Sequence, residues 1–162
     1  MKISKKNATL LLSVLVVFVF AVFDIEIDDK GSDVVNEDVN EGLFVVSRVI
    51  DGDTFEIESG QRVRMIGIDT PERGKYFFTE ATDRLKELIE GKEVTLSKDV
   101  SEVDRYGRLL RHVYVKDNWI NKQMIDEGYA KLATFPPDVL HVDVFEKSQK
   151  NAREQKKGLW DK

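Results

Sequence analysis

Apolar and polar positions along the chain change period several times. Ala8 to Phe23 is one apolar run broken only by Thr9 and Ser13, with Lys2, Lys5 and Lys6 ahead of it and Asp24 and Glu26 behind. A basic head, an apolar rod of 16 residues and an acidic exit describe a membrane-directed segment. The rod is long for a signal-peptide core and short for a span, so a cleaved signal peptide, with Val19-Phe20-Ala21 as the cleavage site, and a retained anchor are both compatible with it. From Asp24 to Gly42 eight carboxylates face a single Lys30, and the self-repulsion and scarcity of large apolar residues predict an extended, disordered linker.

A globular pattern begins at residue 43. Leu43 to Ile50 is apolar and β-branched, Phe55-Glu56-Ile57-Glu58 alternates with period two, and Val63 to Ile68 follows a Ser59-Gly60 turn, which together predict a three-stranded meander. Ala81, Leu85, Leu88 and Ile89 then recur at helical spacing, with Gly91 placed to end the helix. Val94 to Leu96 and Leu109 to Val115 supply two more strands. The spacing predicts a short helix over 119–127 capped by Asn118, and a last helix over about 138–157 after Pro136-Pro137 and before Gly158, with Leu159 and Trp160 packing back on the body. Five short strands with a helix after the third suggest a mainly β, α+β domain over 43–162: a five-stranded OB-type barrel with three helices.

Composition narrows the chemistry. The absence of cysteine excludes disulfides, thiolate metal sites and thiol nucleophiles, so any metal must rest on oxygen or histidine ligands. The net charge of -5 is concentrated in residues 1–42, leaving 21 basic and 22 acidic residues in the body. Attraction to a polyanion must therefore come from local placement of cations. His112 and His141, 29 residues apart without a spaced carboxylate, read as packing or surface residues. The basic residues of the last helix alternate with Glu146 and Glu154, as on a solvated face.

Three stretches carry candidate chemistry. In Asp51-Gly52-Asp53-Thr54, ordinary as turn sequence, Asp53 shares parity with Phe55 and Ile57 and so sits at the mouth of the inward face, where a carboxylate needs a partner or a metal. In Arg64-Met65-Ile66-Gly67-Ile68-Asp69-Thr70-Pro71-Glu72, Arg64 and Asp69 have opposite parity, and both reach one site only if the chain bends, for which Gly67 is the suited residue. In Asp104-Arg105-Tyr106-Gly107-Arg108, a turn delivers Arg108 to the start of the last barrel strand. Together these residues suit phosphodiester hydrolysis. Asp53, Asp69 and the Thr70 carbonyl offer hard oxygens to Ca²⁺, Glu72 can take a proton from water, and the planar forks of Arg64 and Arg108 match phosphate oxygens as a lysine cannot.

Val49-Ile50-Asp51-Gly52-Asp53-Thr54, Arg64 with Ile68-Asp69-Thr70-Pro71-Glu72, and Asp104-Arg105-Tyr106-Gly107-Arg108 stand in the order and spacing of the thermonuclease, or staphylococcal nuclease-like, family, which the chain closely resembles from about Val45 to Trp160. The resemblance implies an OB barrel with three helices and a calcium-dependent endonuclease acting on DNA and RNA with 3'-phosphate products, and the enzyme reading predicts a preference for single strands. It assigns Asp53, Asp69 and the Thr70 carbonyl to the metal, Glu72 to catalysis, and Arg64 and Arg108 to phosphate. The sequence departs from the family's pattern at Thr134-Phe135-Pro136-Pro137, where well-known members place tyrosines beside the nucleotide. Phe135 and Tyr129 are the candidate substitutes for base stacking. The expectation is a secreted or membrane-tethered monomer working outside the cytoplasm. The alternatives are a catalytically silent OB-fold nucleic-acid-binding module and a structural domain in which the charges are ion pairs.

Overall fold

The computed structural model describes residues 42–161. The targeting segment and all of the predicted linker except Gly42 lie outside the described residues. The elements in chain order are β1 (Leu43–Val49), β2 (Thr54–Ile57), β3 (Arg62–Met65), β4 (Ile68–Asp69), α1 (Phe78–Ile89), β5 (Glu93–Ser97), β6 (Leu109–Val115), β7 (Asn118–Trp119), α2 (Ile120–Asp126), β8 (Lys131–Leu132) and α3 (Val142–Glu154), followed by a 3-10 turn at Gly158–Trp160.

Strands β3, β2, β1, β5 and β6 pair antiparallel in that order, and a parallel β3–β6 pairing closes them into a five-stranded barrel. Three helices accompany the barrel, and the whole is the OB-type architecture that the element order suggests. Val46 and Val49 are both buried although three residues apart, because an irregularity in the β1–β2 register between Val46 and Arg48 inserts one residue and re-aims the strand. Phe55, Ile57, Val63, Met65, Leu96 and Val113 fill the barrel with at most 1% of their surface exposed. Helix α1 adds Ala81, Leu85 and Ile89, a single stripe at i, i+4 spacing, and ends before Gly91 at φ +71°. Burying a side chain the size of Leu85 contributes about 1.5–3 kcal/mol. Leu159 is buried as expected, and its amide donates to the Gly128 carbonyl at 2.9 Å.

Three sequence expectations are corrected. The apolar stretch 63–68 is not one strand: β3 ends at Met65, the chain turns at Ile66-Gly67, and β4 starts a separate two-stranded sheet with β8. Gly67 has φ +77°, and a Cβ there would lie 2.3 Å from Cε2 of Phe145, so the turn needs glycine both for its backbone and for helix packing. Its polar groups are satisfied by distant partners, since Asn121 Nδ2 donates to the Ile66 carbonyl at 2.9 Å and the Ala133 amide to the Gly67 carbonyl at 3.0 Å. Asn118 does not cap α2. It pairs with Val115 in a β6–β7 hairpin, and α2 starts at Ile120. The last helix starts at Val142, because Asp138 accepts the Val100 and Ser101 amides at 3.0 and 2.7 Å and Asp99 accepts that of Leu140 at 2.9 Å, which holds 138–140 as loop.

Candidate active site

The turn between β1 and β2 lies against Thr70. A Cβ at residue 52 would fall 2.7 Å from Thr70 Oγ1, so glycine lets the two segments touch and brings Asp53 within reach of the 68–72 stretch. Asp53 is 4% exposed, and its carboxylate is fully engaged. Oδ2 accepts the Thr70 amide at 3.0 Å and the Thr70 hydroxyl at 2.9 Å, Oδ1 accepts the Thr54 hydroxyl at 3.0 Å, and Arg64 forms an ion pair with Oδ1. Arg64 lies on the same strand face as Arg62, while Val63 and Met65 point into the barrel. Past the Gly67 bend, Asp69 Oδ1 comes within 3.4 Å of Arg64 Nη2, which also donates to the Ile68 carbonyl at 3.2 Å. The bend expected from opposite parity is there. Burial and then the neighbouring Arg108 charge push the Arg64 pKa below the ordinary guanidinium value, against the opposing pull of Asp69 and Asp51.

Arg108 arrives on the tight turn predicted at Tyr106-Gly107, with Gly107 at φ +76°. Asp104 grips it three times: Oδ2 accepts Nε and Nη2 at 2.7 Å each, and Oδ1 accepts its amide at 3.0 Å. Desolvation alone would raise the Asp104 pKa, but the amide and guanidinium of Arg108 and the Tyr106 amide outweigh it and hold the carboxyl below the usual range. The remaining nitrogen, Nη1, reaches Thr54 Oγ1 at 3.3 Å, and that hydroxyl donates to Asp53. One hydroxyl thus joins the two charged halves of the site.

Asp51, Asp53, Arg64, Thr70, Glu72 and Arg108 line a single cavity of about 170 Å³, together with Pro71 and Phe78. Five of the six residues expected from the sequence therefore meet at one place. Asp69 does not line the cavity; it stands at the rim against Arg64 with 52% of its side chain exposed. Asp51 is the residue that sequence reasoning passed over. It lies in the same turn as Asp53, and its Oδ1 accepts the Asp53 amide at 3.1 Å. The signal was present in Asp-Gly-Asp, but turn chemistry accounts for the first aspartate equally well.

The cavity offers carboxylate and hydroxyl oxygens, the donor class that suits a hard divalent cation. Among the described residues no group of three or more carboxylate or histidine side chains is placed to hold an ion by itself. Two Asp53 oxygens are shared with Arg64 and the threonines, and Asp69 faces Arg64, so an ion here would take further oxygens from backbone carbonyls, water or phosphate. A second cavity of about 490 Å³ adjoins through Arg64 and Arg108 and is walled by Met65, Leu110 and Phe135. Phe135 is 65% exposed there, whereas Tyr129 stacks on Phe77 with centroids 5.4 Å apart, so of the two candidate base-stacking rings only Phe135 is presented to this space.

Residues 62–162 match the family model described as staphylococcal nuclease homologue. The chain is 36% identical over 130 residues to the thermonuclease of Staphylococcus hyicus, covering 75% of this chain and 77% of that protein. It is 30% identical over 167 residues to the thermonuclease of Staphylococcus intermedius, covering 98% and 99%. It is also 39% identical over 123 residues to an uncharacterized endonuclease of Escherichia coli, covering 71% and 74%. With a closed five-stranded barrel, paired arginines and carboxylates at its mouth, and relatives of this kind along most of its length, the chain belongs to the staphylococcal nuclease family.

Proposed function

We propose that this protein is a calcium-dependent endonuclease that hydrolyses phosphodiester bonds in DNA and RNA, preferentially in single strands, leaving 3'-phosphate ends. The observation that supports it most directly is the convergence of Arg64, Arg108, Asp51, Asp53, Thr70 and Glu72 on one small cavity. Nuclease relatives at 30–39% identity support the reaction class.

In this reading Arg64 and Arg108 bind the scissile phosphate through their guanidinium forks and stabilise the charge that grows on its oxygens. Thr54 and Asp104 fix the orientation of Arg108, and Asp53 and Asp69 fix that of Arg64. Glu72, exposed at the rim of the cavity, accepts the proton of the attacking water. Asp53, Asp69 and the Thr70 carbonyl are the proposed holders of Ca²⁺, which when bound supplies charge neutralisation at the phosphate. Phe135 provides a face on which the base beside that phosphate stacks.

The apolar segment over residues 8–23 supports export, with the protein secreted or tethered outside the cytoplasm and working as a monomer. Among the described residues no helix is long and apolar enough to cross a membrane. The test is hydrolysis of single-stranded DNA and RNA by the purified chain with Ca²⁺, with Mg²⁺ or with chelator, beside Glu72→Gln. The expected result is Ca²⁺-dependent turnover, lost on chelation, and a variant that folds and binds the strand but loses at least about 10²-fold in kcat. Full activity of Glu72→Gln would remove the assigned base, and tight binding without turnover in the parent would favour the silent binding module.

A further inference from the structure

The segment between β4 and α1 carries Glu72, whose carboxylate meets no hydrogen-bond or ion-pair partner among the described residues. Its place at the cavity is therefore set by its backbone. Upstream, Pro71 fixes one dihedral angle, and Asp53 holds Thr70 through both its amide and its hydroxyl. Downstream the chain makes two successive turns: the Lys75 amide donates to the Glu72 carbonyl at 2.9 Å, and the Phe78 amide to the Lys75 carbonyl at 3.2 Å. Phe78 then begins α1 and lines the same cavity as Glu72.

Each turn has a left-handed third residue. In the first it is Gly74 at φ +81°, the residue type such a position favours, and nothing lies within 4 Å of a Cβ there. In the second it is Phe77, at φ 71° and ψ 10°, where the Cβ of a bulky residue crowds its own backbone. What holds Phe77 in that conformation is its ring. It stacks on Tyr129 with centroids 5.4 Å and planes 29° apart, and its Cε1 is 3.1 Å from where a Cβ at Gly158 would lie. Both sides of this socket are tied down. The Tyr129 amide donates to the Met124 carbonyl at 2.8 Å at the end of α2, and the Leu159 amide joins the 3-10 turn to the Gly128 carbonyl at 2.9 Å. The chain thus has glycine at the turn with nothing to reach and phenylalanine at the turn that meets a socket.

We propose that Phe77 is a positioning residue for the reaction: its seated ring locks the second turn and, through the Lys75 and Glu72 carbonyls, holds the Glu72 backbone at the cavity. The assignment rests on the reading of Glu72 as general base. It places the effect in kcat rather than KM, because Arg64, Arg108 and Phe135 stand on other elements.

The experiment uses the full chain and a thymidine hexanucleotide in Ca²⁺, with parent, Phe77→Ala, Glu72→Gln and the double variant, and hexanucleotide binding by fluorescence anisotropy in chelator. Phe77→Ala is expected to lower kcat about tenfold or more at unchanged KM and unchanged binding, and Phe77→Tyr, which keeps the ring, to recover most of the loss. In the Glu72→Gln background the same substitution is expected to change kcat less than about twofold, since a residue that acts through Glu72 has nothing left to place. Circular dichroism and urea midpoints establish which variants are folded under assay conditions, and Phe77→Leu carries the same cycle if Phe77→Ala does not fold. Amide hydrogen exchange at Lys75 and Phe78, the donors of the two turns, is expected to quicken about tenfold in Phe77→Ala while the barrel strands keep the parent's protection. An unchanged kcat in Phe77→Ala, or an equal loss in both backgrounds, would overturn the positioning role. A parent without turnover, or a Glu72→Gln variant as active as the parent, would overturn the assigned base, and quickened exchange at Lys75 and Phe78 would then leave Phe77 standing as the residue that seats this segment.

Discussion

His112 makes the stability of this fold depend on pH in a way that one substitution can isolate. The imidazole is 2% exposed on β6, neither ring nitrogen meets a hydrogen-bond partner, and it packs against His141, Trp119 and Phe145 with centroids 4.9, 5.3 and 6.1 Å away. Burial first, and then the positive potential of His141, press its pKa from 6.5 to about 4, with Asp138 opposing. The unfolded chain therefore takes up the proton at higher pH than the folded chain does. The neutral ring costs nothing above the unfolded value of 6.5, and stability is lost as pH falls from there toward about 4. The gap between those values corresponds to about 3 kcal/mol when fully expressed, of which about 2 kcal/mol is gone at pH 5. His112→Phe keeps a ring in the cluster and removes the titration. Urea unfolding followed by tryptophan fluorescence at about pH 7.5 and about pH 5 is expected to show a parent that loses about 2 kcal/mol more than the variant. Because Phe145 also packs on Gly67, this acid loosening reaches the bend that sets Asp69 against Arg64. Equal losses in parent and variant would refute the reasoning, since every other titrating group is common to both.

Gly67→Ala places a Cβ 2.3 Å from Phe145 at φ +77° and is expected to cost about 2–4 kcal/mol by urea titration, with activity falling further than stability because Arg64 and Asp69 part. Asp104→Asn removes the charge that clamps Arg108 and is expected to lower kcat about tenfold or more, with urea midpoints close to the parent's because the remaining amide oxygen still accepts the Tyr106 and Arg108 amides. Steady-state kinetics on a single-stranded substrate checks it, and Asp104→Glu is expected to recover part of the loss.

Legibility from the sequence follows how each residue is placed. Asp53, Arg64, Thr70, Glu72 and Arg108 were readable because short local devices set them: a strand parity, a Gly67 bend, a Pro71 turn, an Asp104–Arg108 turn. Helix α1 was readable because its stripe is continuous at helical spacing. What escaped depends on partners far along the chain. The break at Ile66-Gly67 is fixed by Asn121 and Ala133, the delayed start of α3 by Val100, Ser101 and Asp99, and the β7 hairpin by pairing that outcompetes the capping potential of Asn118. The His112–His141 contact spans 29 residues without any local signature. Arg111, 1% exposed inside β6, pairs with Glu102 and donates to two carbonyls, partners that the strand pattern alone does not show.

The charges at the barrel mouth constrain one another. Burial and then the facing Arg108 charge disfavour the Arg64 cation, and each guanidinium is held by its own acids, Asp53 and Asp69 for one and Asp104 for the other. An entering phosphate competes with those carboxylates for the guanidinium forks, so on its own it gains little. When a guanidinium turns to phosphate, the Asp53 carboxylate, 4% exposed, loses an ion-pair partner and would be left buried with only the Thr54 and Thr70 donors. A second cation beside Asp53 removes that cost, and binding of phosphate and of cation should then reinforce each other through the Thr54 hydroxyl that touches both Asp53 and Arg108. The site is in this sense an exchange of partners among fixed charges. In the proposed reaction a metal ion would answer the depth of Asp53 as much as the chemistry at phosphorus.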